Sequence, residues 1–469
     1  MAGHVFTGRR QIFTDELSVS KENVIHILQT ALTIHQQNRP EIEYLYQYYR
    51  GNQPILSRMK AVRPEIVNKI VENRANEIVS FKVGYLMGEP IQYVGRGDDE
   101  SLTDKINALN EFVFAEDKAS KDKELADWFH ICGTSYRMTL PIAENEDAES
   151  PFHIYTLDPR NAFVVYHSGL GSPPVMAVKY VVTEKGETIY SVYTQNRYFE
   201  VSDASAITSN RENPLGIPIV EYPANTARLG AFEIVLTLLD AINMVDSNRL
   251  DGVEQFVQAL LLFHNVDIGT EEYAQLRAEG AIKFRDADGQ MKADIRYLTA
   301  ELNQMQTQTL VDHLYETVLT ICGMPNRNGG TSTSDTGAAV IMRDGWSAAE
   351  ARAKDTELMF KRSEKEFLKL ALRMVRDLGE IDLRLSNVEI RFTRRNYENI
   401  GEKANVLIAM LNNEKIHPLL AFTHSGLFTD AELAYTMSRD YYLETETVLS
   451  FAGGDEGDPT SGNIDGASD

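Results

Sequence analysis

Between Ser135 and Tyr222 the chain gives up helical periodicity and breaks into six short runs, SYRMTLPI, FHIYTL, NAFVVYH, VMAVKYVV, TIYSVYT and RYFEV. These runs are rich in β-branched and aromatic residues and are parted by turn residues, which predicts a compact antiparallel β region. The segments on either side place apolar residues at helical spacing instead. Strands and helices are therefore gathered into separate stretches, and the expected fold class is α+β, mainly helical.

Ahead of the β region, Pro40 stands like a first-turn proline and Gly51 like a C-terminal stop around Ile42, Leu45, Tyr46 and Tyr49, which predicts a short amphipathic helix. A second helix is expected from Pro64, with Val67, Ile70, Val71, Ile78 and Val79 on its apolar face and Gly84 and Gly88 at its end. EPIQYVG then turns extended.

After the β region, Ile234, Leu238, Ile242, Val245, Val253, Phe256, Val257 and Leu260 predict a helix over about Thr226 to His264. At 1.5 Å per residue it would be on the order of 55 Å long, which outruns an ordinary globular core. In AIKFRDADGQMKADIRYL two extended arms flank Asp288-Gly289, a strong hairpin signal. Asp286 and Asp288 lack the third ligand and closing Glu of a calcium loop, so a hairpin is the better reading.

A further helix, about Thr299 to Cys322, leads into NRNGGTSTSDTGAA, a run with almost nothing to bury. Beyond it a helical pattern extends from Gly337 to Leu378, where Gly345 followed by Ser347 and Glu350, a capping-box spacing, predicts a kink or break. NVEIRFTRR reads as a single strand, and Glu402 to Leu449 as two or three helices with Pro418 starting one and Gly426 breaking the next. Gly453 to Asp469 carries acidic residues, no basic ones and little that packs, and is expected to be a disordered tail.

At 469 residues several cores are expected. The formal net charge of −23 and pI of about 4.9 argue against a protein that grips nucleic acid by neutralising phosphates. Cys132 and Cys322 form neither a metal spacing nor a disulfide framework and are expected as reduced core residues. No apolar h-region opens the chain and no window reaches 18 apolar residues, so neither export by a signal peptide nor a membrane partner is expected.

The Gly-, Ser- and Thr-rich run invites a phosphate-loop reading, but a Walker A loop needs Gly-Lys and no such pair occurs in the chain. The run also follows a helix, whereas a nucleotide loop of this kind follows a strand. No H-E-x-x-H, no G-x-S-x-G elbow and no clustered His/Cys set is present, and lone His130, His264 and His313 read as surface or satisfied core imidazoles. Neither a catalytic residue, nor a metal, nor a cofactor is expected.

VNKIVENRANEIVSFKVGYLMGEPIQY carries a resemblance. A helix beginning with Asn leads into Tyr85, Leu86, Gly88, Pro90, Ile91 and Tyr93, the Tyr-Leu-x-Gly-x-Pro-[IV]-x-Tyr turn of portal proteins from tailed, double-stranded-DNA bacteriophages of the siphophage type. YYRGNQPIL, CGTSYRMTL, TLDPRNAFVVYH and EIRFTRRNYEN resemble further blocks of that family, in the same order from Tyr48 to Asn399. One departure is Asp335-Thr336-Gly337, where related chains more often place Ser-Gly.

The resemblance implies a wing (1–225), a first stem helix (226–264), a clip (265–298), a second stem helix (299–325), a tunnel loop (326–336), a kinked helix and strand returning to the wing (337–400), crown helices (401–450) and an acidic tail (451–469). The tunnel loop would comprise Asn326, Arg327, Asn328, Gly329, Gly330, Thr331, Ser332, Thr333, Ser334, Asp335 and Thr336. Clip residues that would dock partners are Phe284, Arg285, Asp286, Asp288, Gly289, Gln290 and Lys292.

Implied partners are further copies in a ring, commonly of twelve, the duplex DNA passing through it, the terminase large subunit, connector proteins, scaffold and major capsid protein. The implied location is the capsid portal vertex of the virion, after assembly in the bacterial cytoplasm. An acidic channel wall would centre the duplex by repulsion, screened beyond about 8–10 Å at physiological salt. The competing readings are a nucleotide-binding enzyme with its loop at 326–339 and a generic assembly scaffold.

Overall fold

The computed structural model describes residues 7–96, 102–142, 149–257, 260–264, 269–271, 274, 294–298, 304–326, 345–377, 381–393, 400–428 and 431–452. Two compact units are present, one formed by residues 1–329 with 344–394 and the other by 330–343 with 395–469.

Two sheets organise the first unit. Strands β1 (Ile12–Thr14), β5 (Ala162–His167), β6 (Pro174–Val182), β7 (Thr188–Thr194), β8 (Arg197–Ser202) and β9 (Ala206–Glu212) form a six-stranded sheet in that order. It is antiparallel except at β1, which joins β5 in parallel register with Ile12 opposite Val165. The second sheet is β10 (Ile219–Pro223), β3 (Thr134–Pro141) and β4 (Phe152–Leu157). The expected β region is divided between two sheets, the larger extended by β1 from far upstream.

The period-two alternation of β5 explains how the sheets are covered. Phe163 and Val165 point to one face, against Val24, Ile27, Leu28 and Ala31 of helix α1 (Val24–Tyr49). Ala162 and Val164 point to the other, against Met138 and Ile219 of the small sheet.

Helix α1 corrects the short helix expected from Pro40, since it runs for 26 residues with Pro40 inside it. An interior proline removes one backbone hydrogen bond and crowds the preceding turn. The helix persists because it is buried on both sides of that point. Its first half covers the six-stranded sheet, and Ile42, Leu45 and Tyr48 of its second half enter a different core. The stop at Gly51 holds, with Arg50 N bonded to Tyr46 O and Gly51 N to Tyr48 O.

The helix expected from Pro64 is also corrected. Residues 67–73 lack helical structure, and α2 spans Arg74–Leu86 with Asn73 as its N-cap, accepting from Asn76 N. Helices α3 (Thr103–Ala115) and α4 (Lys118–Cys132) follow, and strand β2 (Gln92–Gly95) pairs antiparallel with β13 (Val388–Arg391).

The helix expected over Thr226 to His264 is shorter. Helix α5 covers Leu236–Val257, which at 1.5 Å per residue is about 33 Å. A close backbone approach occupies the preceding stretch, for a Cβ on Gly230 would lie 2.3 Å from Ile131 O. Leu260–His264, a run with no polar residue until its last, forms β11 and pairs antiparallel with β12 (Asp294–Leu298). The downstream arm expected around Asp288-Gly289 is thus a strand whose partner, among the described residues, is β11; residues 281–293 lie outside them.

Helix α6 (Gln304–Cys322) packs along α5, and α7 (Trp346–Asp377) threads the core formed by α3, α4, β2, β4, β10 and β13. The break expected at Gly345 is present as the turn that starts α7, while 337–344 lie outside the described residues. Inside that core sits a fully desolvated charge cluster. Glu364 of α7 receives Lys118 Nζ at 2.7 Å, Arg137 Nη1 at 3.1 Å, Tyr93 OH at 2.5 Å and Tyr222 OH at 2.7 Å. Asp122 pairs with both Lys118, at 2.6 Å, and Arg137.

The second unit contains α8 (Ile400–Leu411), α9 (Pro418–Ser425) and α10 (Ala431–Ala452). As expected, Pro418 opens a helix and Gly426, at φ 60°, closes it. Residues 453–469, read as the tail, lie outside the described residues.

Candidate functional site

The candidate residues were placed on two segments, and the structure fixes the ends of both. Of the loop, Asn326 is described and Arg327 to Thr336 lie outside the described residues. Of the docking residues, Phe284 to Lys292 all lie outside them. A frame of two helices carries these segments.

That frame is the antiparallel pair α5 and α6. Leu236, Leu239 and Ile242 of α5 meet Val311, Val318, Leu319 and Cys322 of α6 in one apolar core. The C-terminal end of α6 lies by the start of α5, where Cys322 Sγ contacts Ala231 O at 3.7 Å. At the other end, the β11–β12 ladder aligns His264 with Asp294. The segment 265–293 therefore leaves and returns at adjacent backbone positions.

The loop has the same property. Gly323, at φ 64°, ends α6 with its N–H on Thr320 O, and Met324 N–H returns to Leu319 O at 2.8 Å. Gly345, at φ 82°, sits so that a Cβ on it would lie 3.8 Å from Pro325 Cα and 3.9 Å from Met324 O. Both feet of the 327–344 segment thus stand together on α6 and α7. A left-handed glycine at each foot lets the chain turn out of α6 and into α7 at no steric cost.

Several side chains hold this foot in place. Lys82 Nζ of α2 donates to Cys322 O at 2.8 Å, and Tyr85 OH donates to Glu350 Oε2 at 2.8 Å. The Phe81 ring lies 6.1 Å from that of Trp346, and the Arg352 side chain covers Gly323, where a Cβ would fall 2.7 Å from Arg352 Cγ. Sequence reading missed Lys82 and Arg352, and gave Tyr85 only as part of the family's turn, because their partners are remote in the chain. Gly323-Met324-Pro325, a helix-stop signature, was the local signal that bounded α6.

A second anchoring device fixes α5. Asn68, Ile70 and Glu72 present alternate backbone N–H groups to Asp251 Oδ1 at 2.7 Å, Ser247 Oγ at 3.0 Å and Asn243 Oδ1 at 2.8 Å. Two extended residues advance about 6.6 Å and four helical ones about 6 Å, so the two periods match. Arg58 and Lys60 also reach Asp251, at 2.9 and 3.0 Å. These contacts, rather than local propensity, hold residues 68–72 extended.

On α6 the exposed face carries Gln308, Thr309, Asp312, His313, Glu316 and Thr320, and the helix has no Lys or Arg. Among the described residues, no group of three or more His, Cys, Asp or Glu could hold a metal ion, and no helix is long and apolar enough to cross a membrane.

The chain belongs to the SPP1 Gp6-like phage portal protein family, whose sequence profile matches residues 28–435. Membership makes it a structural component of a phage particle. No curated protein matches the chain. Among solved structures, a chain of the "Neck of empty GTA particle computed with C6 symmetry" is similar at 11% identity and a TM-score of 0.45, covering 75% of this chain and 90% of that one.

Proposed function

We propose that copies of this chain form a closed ring, commonly of twelve, at one capsid vertex, and that duplex DNA is packaged and released through it. Family membership over residues 28–435 carries this reading. In it α5 and α6 form the stem, 265–293 the clip that docks the terminase large subunit and later connector proteins, and 326–336 the tunnel loop. The second unit forms the crown, and the wing meets scaffold and major capsid protein. The ring works at the virion vertex after assembly in the bacterial cytoplasm, and the terminase supplies the work, so the chain acts without an active site of its own.

Two features of the structure support the reading. Exposed apolar side chains on α5 (Leu250, Val253) and α10 (Leu433, Met437) suit burial against neighbouring copies. The α6 face bearing Asp312 and Glu316 lacks the fixed cations whose phosphate contacts translocation would have to break. Negative-stain microscopy and native mass measurement of the purified full chain test the proposal. A ring with a central hole and a mass of roughly 600 kDa or more is expected. A monomer with measurable nucleotide affinity would overturn it.

A further inference from the structure

Beneath the foot of the loop lies a cavity of about 20 Å³ whose lining includes Lys82, His130, Gly323, Ala349, Arg352 and Thr356. A volume of about 10–15 Å³ already holds one water-sized occupant, so this one takes a single small species. His130 is only 5% exposed, and its Nε2 has no hydrogen-bond partner among the described residues. A buried polar atom of this kind demands an occupant that bonds to it.

Charge decides what that occupant is. Among the described residues the Lys82 ammonium has a carbonyl, Cys322 O at 2.8 Å, as its hydrogen-bond partner, and the stem of the exposed Arg352 crosses Gly323 with no carboxylate paired to its guanidinium. Burial pushes the Lys82 pKa down, and the Arg352 cation pushes it further. Burial, with Lys82 beside it, holds His130 down to about 3, so its imidazole is neutral, and in the tautomer protonated at Nε2 it offers an N–H donor. Lys82, His130 and, at the exposed rim, Arg352 line a space for one small particle, and no anionic side chain lines it. Water would satisfy His130 but leave the half-buried Lys82 ammonium without a counter-charge; an anion supplies both.

We propose that Lys82, His130 and Arg352 form a binding site for one small monovalent inorganic anion of the halide class, seated where α2, α4 and α7 meet the end of α6. Its occupancy would fasten three helices to the point at which the 327–344 segment departs and returns. The site stands on the charge and geometry of the first unit and does not depend on the portal reading.

The test uses the full chain and bromide as probe. Thermal unfolding is followed in sodium bromide and in sodium gluconate at equal ionic strength, so that general screening is the same in both. A ligand bound only to the folded state raises the midpoint by mass action. A saturable rise in bromide is expected for the unmodified protein and for Lys354→Gln, which alters an exposed cation on the same helix. It should vanish in Lys82→Met and in Arg352→Gln. Equal midpoints in the two salts, or the same bromide response in every variant, would overturn the site. Should the variants fold poorly, anomalous scattering from bromide-soaked crystals of the unmodified protein decides. A peak within hydrogen-bonding distance of His130 Nε2 and Lys82 Nζ upholds the site, and a water there with no bromide signal refutes it.

Discussion

Glu364 shows how a single side chain can govern a core. Burial alone would raise its carboxyl, but the Lys118 ammonium and Arg137 guanidinium outweigh burial and hold its pKa down to about 2. Replacing Glu364 by Gln leaves two buried cations facing only Asp122. The expected loss is about 3–5 kcal/mol, measured by urea unfolding, because an uncompensated charge remains in a dry core. Adding Lys118→Met should recover part of that loss in a double-mutant cycle. A cycle that sums without coupling would show that the ion pair is not the source.

Two buried histidines set the acid limit. Burial holds His35 down to about 4 and His130 down to about 3, against 6.5 for a free imidazole. The unfolded chain therefore takes up protons that the folded one refuses. The stabilisation is full above pH 6.5 and is lost as pH falls toward 4 and then 3. Glu364 adds a later loss, from about 4.5 down to about 2. Urea midpoints should fall between pH 7 and 5, and His35→Gln with His130→Gln should flatten that slope.

At the scale of elements, the match between an extended run and a helix is what holds α5 to the body. Amides of Asn68, Ile70 and Glu72 should exchange more slowly than those of Lys69 and Val71, since only the first three donate to α5. Ser247→Ala leaves the Ile70 N–H without its acceptor, at a cost of about 1 kcal/mol. Asn243→Ala should cost more, because its side chain also donates to Gln53 Oε1 at 2.5 Å. A scan of melting temperatures in which Ser247→Ala melts below Asn243→Ala would contradict this geometry. The Pro40 helix teaches the related lesson that packing on two cores overrides a local breaker.

For the whole molecule, the portal reading ties the two paired-end segments to different tasks. Deleting Gly329 to Thr333 should leave ring assembly intact by microscopy while impairing DNA packaging or retention in a packaging assay. Unchanged packaging would remove the tunnel assignment. Replacing Asp312 and Glu316 by Lys should slow translocation and make its rate recover with added salt, because new phosphate contacts release counterions. Translocation that is insensitive to both changes would mean that this α6 face does not line the channel.

Local chemistry was enough for part of this protein. The β runs, the Pro418 start and the Gly426 and Gly51 stops follow from backbone restrictions that act within a few residues. Family membership was legible too, because its motifs are short blocks carried in order along the chain. Tertiary structure decided the rest. Val67 and Ile70 fit a helical stripe as well as any residues do, yet α5 holds that stretch extended. Arg137 and Glu364 lie 227 positions apart, and Lys82 and Cys322 lie 240 apart, so neither pairing leaves a local signal. Periodicity reports which residues can be buried on one face; only the folded chain determines which partner, charge or backbone meets them there.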